Sequence, residues 1–407
     1  GSPNPHDILR VLGDKELAAA KENMGFDPAE RFAIAADVLE HYRAAVPRGR
    51  ELEADWKMRR DAYIRLVPGK GTELLRRMSG ELPENWQDAI PVFSADAKGM
   101  ATRASSGKVL NALAAVIPEL IGGSADLAPS NKTWLEGYKA FSAETPVGRN
   151  FHFGVREHAM GAIVNAMSVH GGIVPYGGTF LVFSDYMRGA LRVAALSHYP
   201  SIWVFTHDSI GVGEDGPTHQ PVEHVAALRA IPEMTVIRPA DANETAQAWK
   251  VAIENRHGTT ALILTRQNLP TMDTPVHVEK GAYVVKDFGD ELDVILMASG
   301  SEVSLVLEAA EMLAGEGIKA RVVSVPSLEI FDKQDQAYRE SVLPPQIVKR
   351  FAAEAGIAQG WWKYVGSQGG VLSIETYGAS APAEKVFEEY GFTVANVVAR
   401  VKELLNR

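Results

Sequence analysis

Cysteine is absent from this 407-residue chain, which excludes a disulfide framework and any thiolate metal site. No apolar run approaches the roughly 20 residues that a membrane-spanning helix requires, so a membrane partner is not expected. Positive charge is in deficit. The 41 Lys+Arg against 51 Asp+Glu leave a net charge of -10, which argues against nucleic acid or an anionic membrane as partner but leaves room for local basic pockets. The run Gly1-Ser-Pro-Asn-Pro-His6 lacks the form of a secretion signal, so a cytoplasmic location is expected. Short-period repeats and low-complexity segments are also wanting. What is present is ordinary globular composition, 46% apolar and 23% charged, with length for two or three domains.

The first ninety or so residues read as helices without strands: Leu17–Asn23, Ala29–Ala45 opened by Asp27-Pro28, Glu51–Leu66 ended by Pro68-Gly69, and Gly71–Ser79. From Thr102 short apolar runs alternate with helical patterns, through Glu119–Gly122, Phe151–Phe153, Ile173–Tyr176, Ile202–Thr206, Thr235–Ile237 and Ala261–Thr265. Leu269–Val278, rich in Pro and Thr, reads as a linker. A second alternating series follows, with strands at Leu292–Ala298, Ala320–Val325 and Val348–Ala353. Such alternation predicts right-handed crossovers. The expected fold class is α/β, two consecutive α/β domains with mostly parallel sheets at 95–275 and 276–407, preceded by a helical connector at 1–94.

One stretch organises the chain, Gly211-Val-Gly-Glu-Asp-Gly-Pro-Thr-His-Gln-Pro221. Its glycines and prolines cannot hold a helix or a central strand, so it reads as a strand-to-helix crossover loop. In a doubly wound sheet, ligands bind outside the carboxyl ends of the strands, where this loop would lie. Glu157 opens a helix, which reads either as a favourable dipole partner or, in an apolar pocket, as a proton-sharing carboxylate. Phe180, Phe183 and Tyr186 stand at helical spacing, a core stripe or an aromatic platform for a flat heterocycle. Arg103, Ser130, His207 and Arg266 fall at strand ends or helix starts, where a phosphate would be held. Each alone reads equally as a surface or turn residue. Spacing leads to an α/β enzyme acting on a polar ligand and stops there.

Several motifs in order carry a resemblance. Gly123-Ser-Ala-Asp-Leu-Ala-Pro-Ser-Asn131, Gly154-Val-Arg-Glu157, Thr206-His-Asp-Ser-Ile-Gly211, the loop itself, Ala261-Leu-Ile-Leu-Thr-Arg-Gln-Asn268 and Phe331-Asp-Lys-Gln-Asp335 together resemble the transketolase family. The resemblance implies a pyrimidine-binding domain for thiamine diphosphate, then a C-terminal domain. It implies transfer of a two-carbon ketol unit from a ketose phosphate to an aldose phosphate, a reaction of the pentose phosphate pathway. Glu157 matches the glutamate that hydrogen-bonds the aminopyrimidine ring and drives its imino tautomer. Phe180 and Phe183 match ring-packing residues, with Tyr186 nearby and Asp126 and Leu127 as cofactor neighbours. Arg103, Ser130, His207 and Arg266 match the sugar-phosphate clamp, Asp215 a residue that reads a substrate hydroxyl, and His219 one that contacts the donor's oxygens. Sugar phosphates and a homodimer partner are the implied partners.

The family's Gly-Asp-Gly signature, followed at a distance by Asn, is not found in the sequence, for Gly13-Asp14 and Gly289-Asp290 lack the next glycine. The expectation that follows is a chain whose N-terminal diphosphate-binding domain is largely missing, and with it the Mg²⁺ (or Ca²⁺) site. Such a chain would be inactive without that domain as a partner, and no metal ligand is expected within it. Dihydroxyacetone synthase, deoxyxylulose-phosphate synthase and the beta subunit of pyruvate dehydrogenase's first component are the nearest enzyme alternatives. A non-catalytic dimeric scaffold is the alternative of another class.

Overall fold

The computed structural model describes residues 13–406 and divides the chain into two compact units, Gly1–Leu74 and Leu75–Arg407. The run Gly1–His6 and the start of the expected connector lie outside the described residues. In the first unit, helices Asp14–Asn23, Ala36–Arg43 and Ala45–Leu66 bury none of their residues. The helix expected over Ala29–Ala45 begins seven residues late. Asp27 Oδ1 accepts the backbone N–H of Ala29 in a local turn instead of capping a helix, and Phe32 adopts a left-handed φ of 53° that no α-helix admits.

Among its described residues the second unit carries thirteen strands: β1 Asp96–Ala101, β2 Leu120–Ser124, β3 Asn150–His152, β4 Val174–Phe180, β5 Ile202–Thr206, β6 Met234–Ile237, β7 Thr259–Leu264, β8 Asn268–Thr271, β9 Tyr283–Asp287, β10 Val294–Ala298, β11 Ala320–Ser324, β12 Arg350–Ala353 and β13 Gly370–Leu372. A six-stranded sheet has the order β3-β2-β4-β5-β7-β6 with every pair parallel. A five-stranded sheet has the order β13-β12-β10-β11-β9, parallel except for β9 against β11.

Both faces of the first sheet are buried, which is why its strands are continuous apolar runs. Ile202, Val204, Leu262 and Leu264 pack with Leu110, Leu113 and Trp249 from helices Thr102–Val116 and Ala242–Glu254. The alternate residues Trp203, Phe205, Ala261 and Ile263 pack with Met160, Val164 and Leu191 from helices Glu157–His170 and Ser184–Leu196. The second sheet repeats the alternation, with Val294 and Leu296 on one side and Ile295 and Met297 on the other.

Two further expectations give way. Leu269 lies not in a linker but in β8, which pairs antiparallel with β1 through Met100↔Leu269; a two-stranded ribbon tolerates the neighbouring Pro270 at its edge. Phe180 ends strand β4 instead of sharing a helix with Phe183 and Tyr186, because β4 runs on through Gly177-Gly178-Thr179 to lie beside β5. After β11 the chain forms two short helices, Leu328–Asp332 and Gln336–Val342, capped by the Ser327 and Asp335 side chains.

A buried ionic cluster joins the two sheets. Arg238, one residue past β6 and 1% exposed, donates to Asp208 Oδ2 at 2.9 Å, to Glu302 Oε2 at 2.5 Å and to the Ser299 carbonyl at 2.8 Å. Arg229 forks onto both Glu354 oxygens at 2.8 and 2.9 Å, and Trp361 Nε1 donates to the same carboxylate at 2.9 Å. Burial opposes ionisation of Glu354, but Arg229 and Arg238 outweigh it and hold the carboxyl at about 2. Gly300, at φ 57°, is required beside this cluster, since a Cβ there would stand 2.6 Å from the Arg238 guanidinium carbon.

Candidate active site

The strand order reverses between β3-β2 and β4-β5, and the crevice at such a switch point is where open α/β sheets bind ligands. Ala125-Asp126-Leu127 follow β2, Glu157 opens the helix after β3, and Phe183 and Tyr186 follow β4. They line one cavity of about 410 Å³, together with Val155. Glu157 is 8% exposed there, at the first position of its helix, with Leu127, Val155 and Phe183 as apolar neighbours. Its helix N-terminus favours a carboxylate, and its apolar surroundings make that carboxylate a strong acceptor for a ligand N–H.

A row of rings runs from this cavity to the end of β5. Phe183 stacks on Phe180 at 5.8 Å, and Phe180 stacks on His207 at 3.6 Å. Tyr186 lies 6.0 Å from Phe183, and His219 meets the edge of Phe183 at 5.6 Å. The aromatic residues thus come together despite starting in three different elements.

His207 directly follows β5 and adopts a left-handed φ of 62°. Burial, then the charges of Arg103 and Arg266 and the nearby His219, push its imidazole down to about 3, so it is neutral at pH 7. Its tautomer follows from its partners. Thr206 Oγ1 donates to Asn131 Oδ1 at 2.7 Å, so it accepts from His207 Nδ1–H at 2.8 Å. Nε2 is left as the acceptor, 3.4 Å from Arg103 Nη1.

Arg103 sits in the first turn of Thr102–Val116 and donates to the Ser130 carbonyl at 2.9 Å. Reciprocal bonds between Thr102 and Thr265 clamp that helix start to the end of β7, and so hold Arg103 near Arg266. Burial, and then the Arg266 charge, lower the Arg103 pKa. Two guanidiniums and a neutral imidazole acceptor held this close create a positive focus suited to an anion such as a phosphate.

Of the residues singled out from sequence, the structure gathers Asp126, Leu127, Glu157, Phe183 and Tyr186 on the cavity, and Phe180, His207, His219, Arg103 and Arg266 along its extension. Ser130 takes part through its carbonyl, and Asp215 stands exposed on the loop. Sequence reasoning overlooked three residues. Asn131 links Thr206 to Ser124 Oγ, Gln220 pins the loop from beneath, and Arg238 holds Asp208. Asn131 and Gln220 lay inside the motifs that carried the resemblance, and their polarity within those runs was the available signal.

Comparison with known proteins gives three successive family matches: the transketolase thiamine diphosphate binding domain at residues 4–83, the transketolase pyrimidine binding domain at 98–272, and the transketolase-like C-terminal domain at 281–393. The first conflicts with the expectation of a largely missing diphosphate-binding domain, because residues 4–83, within the stretch read as a connector from that domain's end, match the family's model of the domain itself. Transketolase of Geobacillus stearothermophilus is 50% identical over 418 residues, covering 100% of this chain and 62% of the relative. Transketolase from Leishmania mexicana superposes with a TM-score of 0.89 at 43% identity, over 97% of this chain and 58% of that one. The Pichia stipitis transketolase in complex with sedoheptulose 7-phosphate gives 0.90 at 42%, over 97% and 59%. The chain therefore spans about 62% of the length of the curated relative that it matches.

Proposed function

The chain belongs to the transketolase family, and from that premise we propose that it takes part in thiamine diphosphate-dependent transfer of a two-carbon ketol unit from a ketose phosphate to an aldose phosphate. The observation that carries this reading is the buried Glu157 carboxylate, which lines the same cavity as Asp126, Leu127, Phe183 and Tyr186. The cavity fits the flat pyrimidine half of the cofactor, with apolar Ala125, Leu127, Val155 and Phe183 around one buried carboxylate, Glu157, and the exposed Asp126 at its edge. When bound, the cofactor supplies the carbanion-stabilising chemistry that no side chain provides.

This chain's residues would then do the following. Glu157 shares a proton with a pyrimidine ring nitrogen, while Phe183, supported by Phe180, packs against the ring. Arg103, Ser130, His207 and Arg266 receive the sugar phosphate. Asp215 and His219 read donor hydroxyls from the loop, with His219 near the reacting carbons. Mg²⁺ or Ca²⁺ would accompany the diphosphate, and we assign no residue of the pyrimidine-binding cavity to it. The complexes of the Pichia relative with sedoheptulose 7-phosphate support sugar phosphates as the substrate class.

A second copy of the chain is the proposed partner. Val169 of one helix and Val193 of the next stand exposed and line a cavity of about 560 Å³, and Ile163 and Leu196 of the same two helices are exposed as well. Such contiguous apolar surface favours burial against another subunit.

The test is transfer from xylulose 5-phosphate to ribose 5-phosphate with thiamine diphosphate and Mg²⁺, beside a direct cofactor titration. Turnover is expected to fall about 10²–10⁴-fold in Glu157→Ala, in line with loss of a proton-sharing group. Cofactor binding without transfer in any donor–acceptor pair would favour the scaffold reading. Preferential use of formaldehyde as acceptor would point to dihydroxyacetone synthase.

A further inference from the structure

The loop over Gly211–Pro221 has little of its own to hold it. Gly213 and Gly216 turn at φ 83° and 78°, and the internal bonds are single turns, Gly216 N–H to the Gly213 carbonyl and His219 N–H to the Gly216 carbonyl. Yet the residues it carries, Asp215 and His219, must be placed accurately to read a small polar substrate. What fixes the loop lies in the second α/β domain.

Gln220 is buried, at 2% exposure, so it cannot itself reach a ligand in the open cavity. Its amide nitrogen donates to the Gly213 carbonyl at 2.8 Å and to the Ala379 carbonyl at 2.9 Å, one in the loop and one in the second domain. Those two acceptors determine the amide's orientation, since the flipped form would set oxygen against oxygen. The cost is that Oε1 has no hydrogen-bond partner. It rests against Gly378, where a Cβ would come within 1.8 Å of it. A second strut lies next to it, for Ser380 Oγ donates to the Glu214 carbonyl at 2.6 Å, immediately before Asp215.

We propose that Gln220 is a positioning residue, through which the segment Gly378-Ala379-Ser380 of the second α/β domain sets the loop that presents Asp215 and His219. The proposal rests on the reading above only for what the loop contacts. The bridging itself is independent of the substrate's identity.

Two measurements test it on the full chain. The first is hydrogen exchange of the 211–219 amides in wild type, Gln220→Met, Gln220→Glu and Ser380→Ala. Exchange should quicken at least about tenfold in both Gln220 variants and less in Ser380→Ala, while β10–β12 stay protected. The second is steady-state transfer from xylulose 5-phosphate. KM should rise about tenfold or more in Gln220→Glu with kcat changed far less, because the loop's groups bind the donor while Glu157 and the cofactor cavity stay intact. Ser380, exposed on the surface, keeps the test open where a Gln220 variant does not fold. Unchanged loop exchange in the variants overturns the proposal whatever the activity. A wild type without transfer overturns the functional reading and leaves the exchange result to judge Gln220. A fall in kcat matched by loss of cofactor affinity would also overturn it, since that pattern marks general damage.

Discussion

The two parallel sheets end in different ways. In both, the carboxyl ends of the central strands present polar residues, which is where ligands of α/β proteins bind. In the first sheet these ends carry Asp126, Glu157, His207 and Arg266 around a cavity. In the second, Ser299, Ser324 and Glu354 stand at or just beyond the corresponding ends of β10, β11 and β12, and each is taken up by the first domain or its neighbours. Ser324 Oγ donates to Glu244 at 2.5 Å, Ser299 Oγ to Glu354 at 2.5 Å, and Arg229 and Arg238 reach across. One set of strand ends is saturated and rigid; the other is left electrostatically unbalanced. Polar residues at strand ends make a site only where their partners have been withheld.

The saturated end should be the more sensitive to a single substitution. Arg238→Met leaves Asp208, Glu302 and Glu354 in the interior with one cation fewer. Removing one partner of a buried ion cluster costs about 3–5 kcal/mol. Urea unfolding at pH 7 is expected to show a loss of that size, and a loss under about 1 kcal/mol would mean that the cluster is not a shared support.

Glu244 separates the regions through pH. Burial, then the Asp241 charge, raise its carboxyl to about 7, against donation from Ser324, Tyr283 and the Ala240 N–H. The folded state therefore holds this proton between the ordinary value of 4.5 and about 7, while the unfolded chain releases it. Stability from this group is present below about 4.5 and is lost as pH rises through 7, by at most about 3 kcal/mol. Unfolding measured from pH 5 to 8 should show wild type losing stability relative to Glu244→Gln, which cannot ionise, as pH rises. A constant gap would refute the assignment.

His207 works in the opposite direction. Its folded value near 3 lies below the ordinary 6.5, so below pH 6.5 the unfolded chain takes up a proton that the native site refuses. Stability falls there by up to about 1.4 kcal/mol per pH unit. The unbalanced site offers a remedy that the saturated one does not, because an anion beside Arg103 and Arg266 raises the imidazole value. NMR of the His207 ring is expected to show no titration down to pH 5 alone and an upward shift with inorganic phosphate.

Much of this contrast was legible in the residues. The glycine- and proline-rich loop, the apolar five-residue strands and the charged residues after them placed the crevice, and the ordered motifs indicated the family. The N-terminal residues misled because helical patterns without strands, and without the Gly-Asp-Gly signature, read as a connector, although residues 4–83 match a domain of the family. Phe180 misled because spacing of three residues is helical only if the backbone is, and the pairing of β4 with β5 overrode it. Arg238 and Glu244 were not legible, and Gln220 showed only as one more polar residue of the loop motif. The partners that give them their roles, Asp208, Tyr283 and Ala379, lie 30, 39 and 159 residues away, and long-range pairing of buried polar groups has no local period.

The smallest effect asks whether the open site depends on its supports. Thr206 Oγ1 donates to Asn131 Oδ1, and Asn131 Nδ2 donates to Ser124 Oγ at 2.8 Å, so a line of hydrogen bonds ties the ends of β5 and β2 together beneath His207. Thr206→Val keeps the shape and removes the hydroxyl. Asn131 then has an unmet acceptor and His207 Nδ1–H an unmet donor, at a net cost of about 1 kcal/mol. The imidazole can escape part of that cost by moving its proton to Nε2, where it would face the Arg103 guanidinium as a donor against a donor. The ¹⁵N shifts of the ring are therefore the decisive reading. In wild type they should show Nδ1 protonated, and in Thr206→Val a mixture of tautomers with weakened phosphate affinity. Should the Nδ1–H form persist with affinity unchanged, Arg103 alone sets the tautomer, and the hydrogen-bonded line serves only to join the strands.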